Sequence, residues 1–159
     1  MAVASRLREF LERSGVSYAV VAHPPAYTAQ YTADRLGLPP RAIAKAVVIR
    51  HAGTLSLAVL PAVAKPDLDR LSAALRDPVE LADQEEIAAT FTDCEPNAIP
   101  PFGNLYGLKT YVDETLTRER ETAFSAGSHT EAVRMSFEDY RRLVAPVVLW
   151  FAQEPAVQE

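Results

Sequence analysis

The chain has a single cysteine, Cys94, so no internal disulfide is possible and a cytosolic (cytoplasmic) setting is the natural expectation. Only three histidines accompany it (His23, His51 and His129), none at metal-ligand spacing, which argues against a zinc site. No apolar run approaches the ~20 residues of a membrane span, and the charged, helix-prone start from Met1 to Phe10 is unlike a signal peptide. Basic residues are outnumbered by acidic ones, 16 to 21, for a net charge of −5. Such a chain repels phosphate overall and is not a general nucleic-acid binder, which leaves only a local basic patch open. There is no internal repeat, low-complexity tract or dividing linker. A glycine-rich phosphate fingerprint, a Ser-His-Asp order and a marked pair of carboxylates are also missing.

What is present fits one soluble domain: 159 residues, 48% of them hydrophobic and 23% charged. Residues 1–152 are expected to form it and 153–159 a loose tail. Ser5 to Ser14 carries Leu7, Phe10 and Leu11 on one helical stripe, with Gly15 as a stop. Tyr18 to Ala22 predicts a short strand ended by His23-Pro24-Pro25. Thr28 is placed to cap a helix through about Gly37, with Ala29, Ala33 and Leu36 inward.

The strongest strand signal is Ala44 to His51, then Ala52-Gly53, then Thr54 to Leu60, a hairpin with a two-residue turn. Asp67 to Leu75 predicts an amphipathic helix, Val79 to Leu81 a strand, and Asp83 caps a helix through about Thr90. Lys109 to Val112, Glu121 to Ala126 and Thr130 to Met135 predict strands, with Asp113-Glu114 and Gly127-Ser128 in turns. Ser136 caps a helix bearing Phe137, Tyr140 and Leu143, and Val147 to Phe151 is a last strand or buried segment. Helices and hairpins in this order give an α+β fold with a mixed or largely antiparallel sheet.

Two features stand out chemically. The stretch Cys94-Glu95-Pro96-Asn97-Ala98-Ile99-Pro100-Pro101-Phe102-Gly103 is too rich in proline to be helix or central strand, yet is stiff. Its available backbone donors are Asn97, Ala98, Ile99, Phe102 and Gly103, which could hold a carbonyl or carboxylate; packing as a plain connector is the alternative. Lys45, one of three lysines against thirteen arginines, sits in the apolar run Ala42 to Ile49 and by alternation shares a face with Ile43, Val47 and Ile49. It either snorkels to water or supplies a cation to a cleft binding a carboxylate, phosphate or oxyanion. His129 follows the small-residue turn Ala126-Gly127-Ser128, either solvated or beside a ligand. His23, Tyr27 and Thr28 could line the same cleft. Nothing near Cys94 lowers its pKa, and Asp93 and Glu95 would raise it.

Lys45 at the start of a hairpin, the loop Asn97 to Gly103 and the later Ala126-Gly127-Ser128-His129 together resemble the YbaK/prolyl-tRNA synthetase-associated (INS-like) editing domain superfamily. The resemblance runs from His23-Pro24-Pro25 to the helix after Ser136. It implies a mixed, largely antiparallel, barrel-like core with surrounding helices, and hydrolysis of mischarged aminoacyl-tRNA without cofactor or metal. It further implies that Lys45 holds the terminal phosphate or ribose end. By the same likeness, Asn97, Ala98, Ile99, Pro100 and Pro101 correspond to a Gly-x-x-x-Pro loop orienting the aminoacyl ester. Here Asn97 stands in place of the glycine, a residue that tolerates left-handed backbone.

Val47, Ile99 and Phe102 are expected sieve walls, and Gly103, Gly127, Ser128 and His129, with Tyr27 and Thr28, further substrate contacts. The expected substrate is alanine or cysteine on tRNA-Pro, met by a free-standing deacylase since no synthetase catalytic domain is attached. Local contacts to tRNA would come from Arg35, Arg41, Lys65 and Arg70, with a prolyl-tRNA synthetase as a possible partner. A non-catalytic module binding tRNA ends or an aminoacyl ligand, and a hydrolase of another small ester, are the competing readings.

Overall fold

The structure, a computed structural model, describes residues 3–23 and 29–153, the side chains of residues 29–32 excepted. Expectations for Tyr27, Thr28, Pro24-Pro25, the Ala29 side chain and the tail beyond residue 153 lie outside the described residues.

Helix α1 (Ser5–Ser14) buries Leu7 and Leu11 and ends at Gly15, whose φ of 72° provides the left-handed cap. Strand β1 (Tyr18–Ala22) and helix α2 (Ala29–Leu36) follow. The hairpin of β2 (Ala44–His51) and β3 (Thr54–Pro61) turns through Ala52 and Gly53, both at positive φ as a primed two-residue turn requires. Next come β4 (Lys65–Pro66) and helix α3 (Leu68–Leu75), capped by the Asp67 carboxylate accepting from the Arg70 N–H. After β5 (Glu80–Leu81), a full capping box between Asp83 and Glu86 starts helix α4 (Gln84–Thr90). Strands β6 (Lys109–Asp113), β7 (Glu121–Ser125) and β8 (Glu131–Ser136) precede helix α5 (Phe137–Val144), capped by Ser136. Strands β9 (Val147–Leu149) and β10 (Ala152–Gln153) end the described chain, so Gln153 pairs with Lys65 instead of starting a tail.

The fold is α+β. A five-stranded sheet has the order β5-β2-β3-β6-β9, a three-stranded sheet β1-β8-β7, and β10 pairs with β4. β3–β6 and β6–β9 are parallel; the other pairings among these strands are antiparallel. The sheets do not close into a barrel. The two larger ones share a core instead, in which Val48, Leu57, Val59 and Val112 of one meet Phe124, Val133 and Met135 of the other. Leu7 and Leu11 of α1 and Phe137 and Tyr140 of α5 complete it.

Both faces of the five-stranded sheet are covered. Even-numbered β2 residues from Ala44 to Val48 face that main core, whereas Ile49, Ala58, Leu60 and Tyr111 face Leu68, Leu71 and Leu75 of α3 and the fully buried Phe151. Each fully buried leucine here contributes roughly 1.5–3 kcal/mol. A third, smaller cluster joins Ile43 to Ala123, Ala132 and the α2 residues Ala33 and Leu36. Trp150, expected within a strand or buried segment, is instead 58% exposed between β9 and β10.

Candidate active site

The proline-rich loop folds as a tight turn followed by an anchored tail. The Ala98 N–H donates to the Glu95 carbonyl at 3.1 Å across Pro96 and Asn97, and Asn97 has φ +64°. Proline second and a positive φ third is the pattern of a type II turn, in which the third position favours glycine or asparagine. Replacing Asn97 with glycine is therefore expected to change stability by less than about 1 kcal/mol, whereas valine, strained at positive φ, should cost about 1–2 kcal/mol; urea unfolding of both variants checks this.

Of the five candidate donors, three are committed within the protein. Besides Ala98, Phe102 N–H donates to the Pro100 carbonyl at 2.8 Å and Gly103 N–H to Thr110 Oγ1 at 3.1 Å. Among the described residues, the N–H groups of Asn97 and Ile99 have no acceptor. The tail of the loop is locked down. Phe102 is fully buried in an aromatic cluster with Phe10, Phe124 and Tyr140, and the Tyr140 hydroxyl donates to the Pro101 carbonyl at 2.6 Å. A Cβ on Gly103 would come within 2.7 Å of the Leu108 carbonyl, so only glycine fits there.

The turn between β7 and β8 is bonded to this loop. Gly127 N–H donates to the Ala98 carbonyl at 2.8 Å, and Glu95 N–H donates to the Gly127 carbonyl at 2.9 Å. From the other side, Ala4 N–H donates to the Ala126 carbonyl at 2.9 Å. Gly127 has φ +98°, and a side chain there would press on Ala4 at 3.0 Å, so both conformation and space demand glycine. Ser128 is buried, its hydroxyl accepting from the Thr130 N–H. His129 is half exposed, with Nε2 at 4.0 Å from the Glu95 carboxylate. His23 is held nearby through its N–H to the Thr130 carbonyl at 2.8 Å.

The structure thus gathers Asn97, Ala98, Ile99, Gly127, Ser128, His129 and His23 into one cluster. Sequence reasoning missed Glu95, whose backbone joins loop to turn and whose carboxylate faces His129; its place between Cys94 and Pro96 carried no periodic signal.

The Lys45 strand is joined to this region through its backbone, the lysine itself being on the odd-numbered face of β2 that Val47 shares. Ile43 forms a parallel bridge with Ala123, and Thr122 Oγ1 donates to the Ala42 carbonyl at 2.9 Å. Lys45 and Ser125 each stand two residues beyond the bridge, so the lysine lies on the strand running beside the segment that feeds the Gly127 turn. No hydrogen bond or ion pair joins Lys45 to the loop, and neither Lys45 nor Lys65 has a carboxylate partner among the described residues. Burial lowers the Lys45 pKa, and the nearby charge of Lys65 lowers it further. Two uncompensated ammonium groups make an anion-attracting point.

Three expected contacts fall elsewhere. Val47 packs on the α3 side, whereas Ile99 and Phe102 pack in the main core on the opposite face, so Val47 does not form one wall with them. Phe102 and Gly103 fix the loop from beneath, with no surface of Phe102 left for a ligand. A cavity of about 210 Å³ does open beside Ile99, lined also by Ile87, Ala88, Phe91, Cys94 and Pro96.

The surroundings of Cys94 hold it in its protonated form. Burial pushes its thiol up to about 11 and the Asp93 charge adds to this, while Tyr106 donates to Asp93 at 2.8 Å beside it. At pH 7 its alkylation is expected to be about 100-fold or more slower than that of a free thiol, which timed iodoacetamide labelling reads directly.

The aminoacyl-tRNA editing domain family model matches residues 23–143. No curated protein matches the chain. Among solved structures, a proposed trans-editing enzyme for prolyl tRNA synthetase is similar at 23% identity and a TM-score of 0.83, over 96% of this chain and 97% of that one. A scaffold protein from computational epitope grafting has 24% identity and a TM-score of 0.83, over 96% and 97% of the two chains. A hypothetical protein, APE2540, has 18% identity and a TM-score of 0.83, over 94% of this chain and 100% of its own. At these identities the likenesses show the fold.

Proposed function

The chain belongs to the aminoacyl-tRNA editing domain family, and on that footing we propose that it is a trans-acting deacylase that removes a small, wrongly attached amino acid from tRNA-Pro. The observation that carries the reading is the pair of acceptor-free N–H groups, Asn97 and Ile99, on a turn whose remaining donors are all committed.

An aminoacyl ester is already activated, so the protein's task is positioning and charge stabilisation. Water adds to the ester carbonyl carbon, and the Asn97 and Ile99 N–H groups donate to the oxygen as it becomes an oxyanion. The carbon–oxygen bond to the ribose then breaks, the ribose oxygen takes the proton, and free amino acid and tRNA leave. Lys45, reinforced by Lys65, holds the phosphate of the terminal nucleotide, and the neighbouring ribose hydroxyl directs the water. Alanine or cysteine is the favoured aminoacyl group, in keeping with the small cavity beside Ile99. A synthetase pocket rejects a smaller residue by only about 1–3 kcal/mol per methylene, which is why a second sieve is needed.

The test is deacylation of Ala-, Cys-, Ser- and Thr-tRNA-Pro, and the same residues on other tRNAs, with and without prolyl-tRNA synthetase. Release of one or a few esters supports the proposal. Survival of every ester in all conditions overturns it in favour of a binding module.

A further inference from the structure

Trp150 is the chain's only tryptophan, and it is its most exposed large hydrophobic residue among those described. An indole this exposed gives up much of the burial that its surface could have had. The Arg70 guanidinium lies over one ring face at 4.0 Å from the centroid. Arg70 is fixed there, because its Nη1 donates to the Ala152 carbonyl at 3.3 Å and its Nε lies 3.4 Å from the Asp67 carboxylate. The Asp67 N–H in turn donates to the Phe151 carbonyl at 2.8 Å, tying the base of α3 to the segment that presents Trp150. The indole is therefore a rigid platform with one face covered by a cation.

The platform continues from the lysine pair. Lys65 stands opposite Gln153, and Pro66 opposite Ala152, in the β4–β10 ribbon that follows Trp150. Lys65 is close enough to Lys45 to disturb its titration. Backbone pairing thus leads from Lys45, opposite Leu60 at the end of β3, through Lys65, opposite Gln153, to the Arg70–Trp150 stack, in a chain that is acidic overall.

We infer that Trp150, backed by Arg70, stacks an unpaired base of the tRNA acceptor end next to the nucleotide held at Lys45. Stacking on an aromatic ring is sequence-tolerant; the base takes the face that Arg70 leaves open, and its phosphate would meet Lys65. The inference deepens the editing reading and rests on it. The occupant is argued from charge: the Arg70 guanidinium on the ring and Lys65 on the adjoining ribbon favour a base flanked by phosphate.

Since the chain has one tryptophan, its emission reports this position alone. Uncharged tRNA titrated into the full chain should quench that emission saturably, and tRNA trimmed of its unpaired 3′ nucleotides should not. Trp150→Ala should weaken tRNA affinity and raise KM about 10-fold or more, Trp150→Phe should restore most of it, and hydrolysis of a short aminoacyl-adenosine should be unchanged in both. Quenching by intact and trimmed tRNA alike, or by prolyl-tRNA synthetase alone, overturns the inference. Deacylation without quenching overturns it and leaves the editing reading standing. Quenching without deacylation of any ester sustains the platform and removes the enzyme.

Discussion

Replacing Lys45 with alanine is expected to lower deacylation by 100-fold or more while the protein stays folded. Among the described residues no hydrogen bond or ion pair of Lys45 holds the protein together, so its loss removes a charge from the proposed site and little from the scaffold. Loss of one preorganised electrostatic contact to a transition state typically costs 100- to 1,000-fold. Lys45→Met sharpens the test because it keeps the stem and discards only the ammonium.

Burial lowers the lysine's pKa in the folded state, so between that lowered value and the ordinary 10.5 the unfolded chain binds more protons. Stability therefore rises with pH across this window, and below it the buried charge is a net cost. Lys45→Met should accordingly melt higher than wild type at pH 7 and lose that advantage toward pH 10.5. Activity should move in the opposite sense, falling as alkali removes the cation. A variant both inactive and more stable marks a charge kept for chemistry; equal or lower melting at pH 7 would show Lys45 to be structural.

Asp113→Ala is expected to destabilise the protein by roughly 3–5 kcal/mol. This carboxylate is fully buried at the end of β6, and it accepts from the Phe151 N–H at 2.7 Å, the Ala152 N–H at 2.8 Å and the Thr115 N–H at 3.0 Å, with the Thr115 hydroxyl as a fourth donor. Removing it strands several donors away from water, at about 1–3 kcal/mol for each buried one. Asp113→Asn should recover only part of the loss, because its amide turns a donor toward donors. Thermal and urea unfolding read both. Since Phe151 and Ala152 are the residues held, the Trp150 platform should loosen before the core melts, visible as a change in tryptophan emission preceding the circular-dichroism transition.

The helix and hairpin boundaries were legible because their stop signals are local. Gly15, Asp67, Asp83, Ser136 and the Ala52-Gly53 pair each act on their own neighbours, and the observed elements start and end beside them. The two-residue strands β4 and β10 were not, since a pair of residues has no periodicity and their pairing is decided by where α3 sends the chain. Asp113 carried the composition of a turn residue, and only tertiary contact makes it a buried staple. In the candidate site, the type II turn could be read from Pro96-Asn97. Which donors stay free could not, because Thr110 and Tyr140, which engage Gly103 and the Pro101 carbonyl, belong to distant elements. The separation of Val47 from Ile99 likewise depends on which face of the sheet the loop covers. Alternation alone does not say.

The three-way junction at Gly127 bears on biosynthesis. Ala4, the Glu95–Ala98 turn and the Ala126–Gly127 segment are far apart in sequence, and among the described residues β1 pairs only with β8. A nascent polypeptide still missing its last third can therefore build the β2–β3 hairpin and α3, but it has no partner for its own first strand and nothing to brace the loop. On the proposed deacylase reading, competence would then wait for β8 to be made, and a product terminated before β8 would be inert.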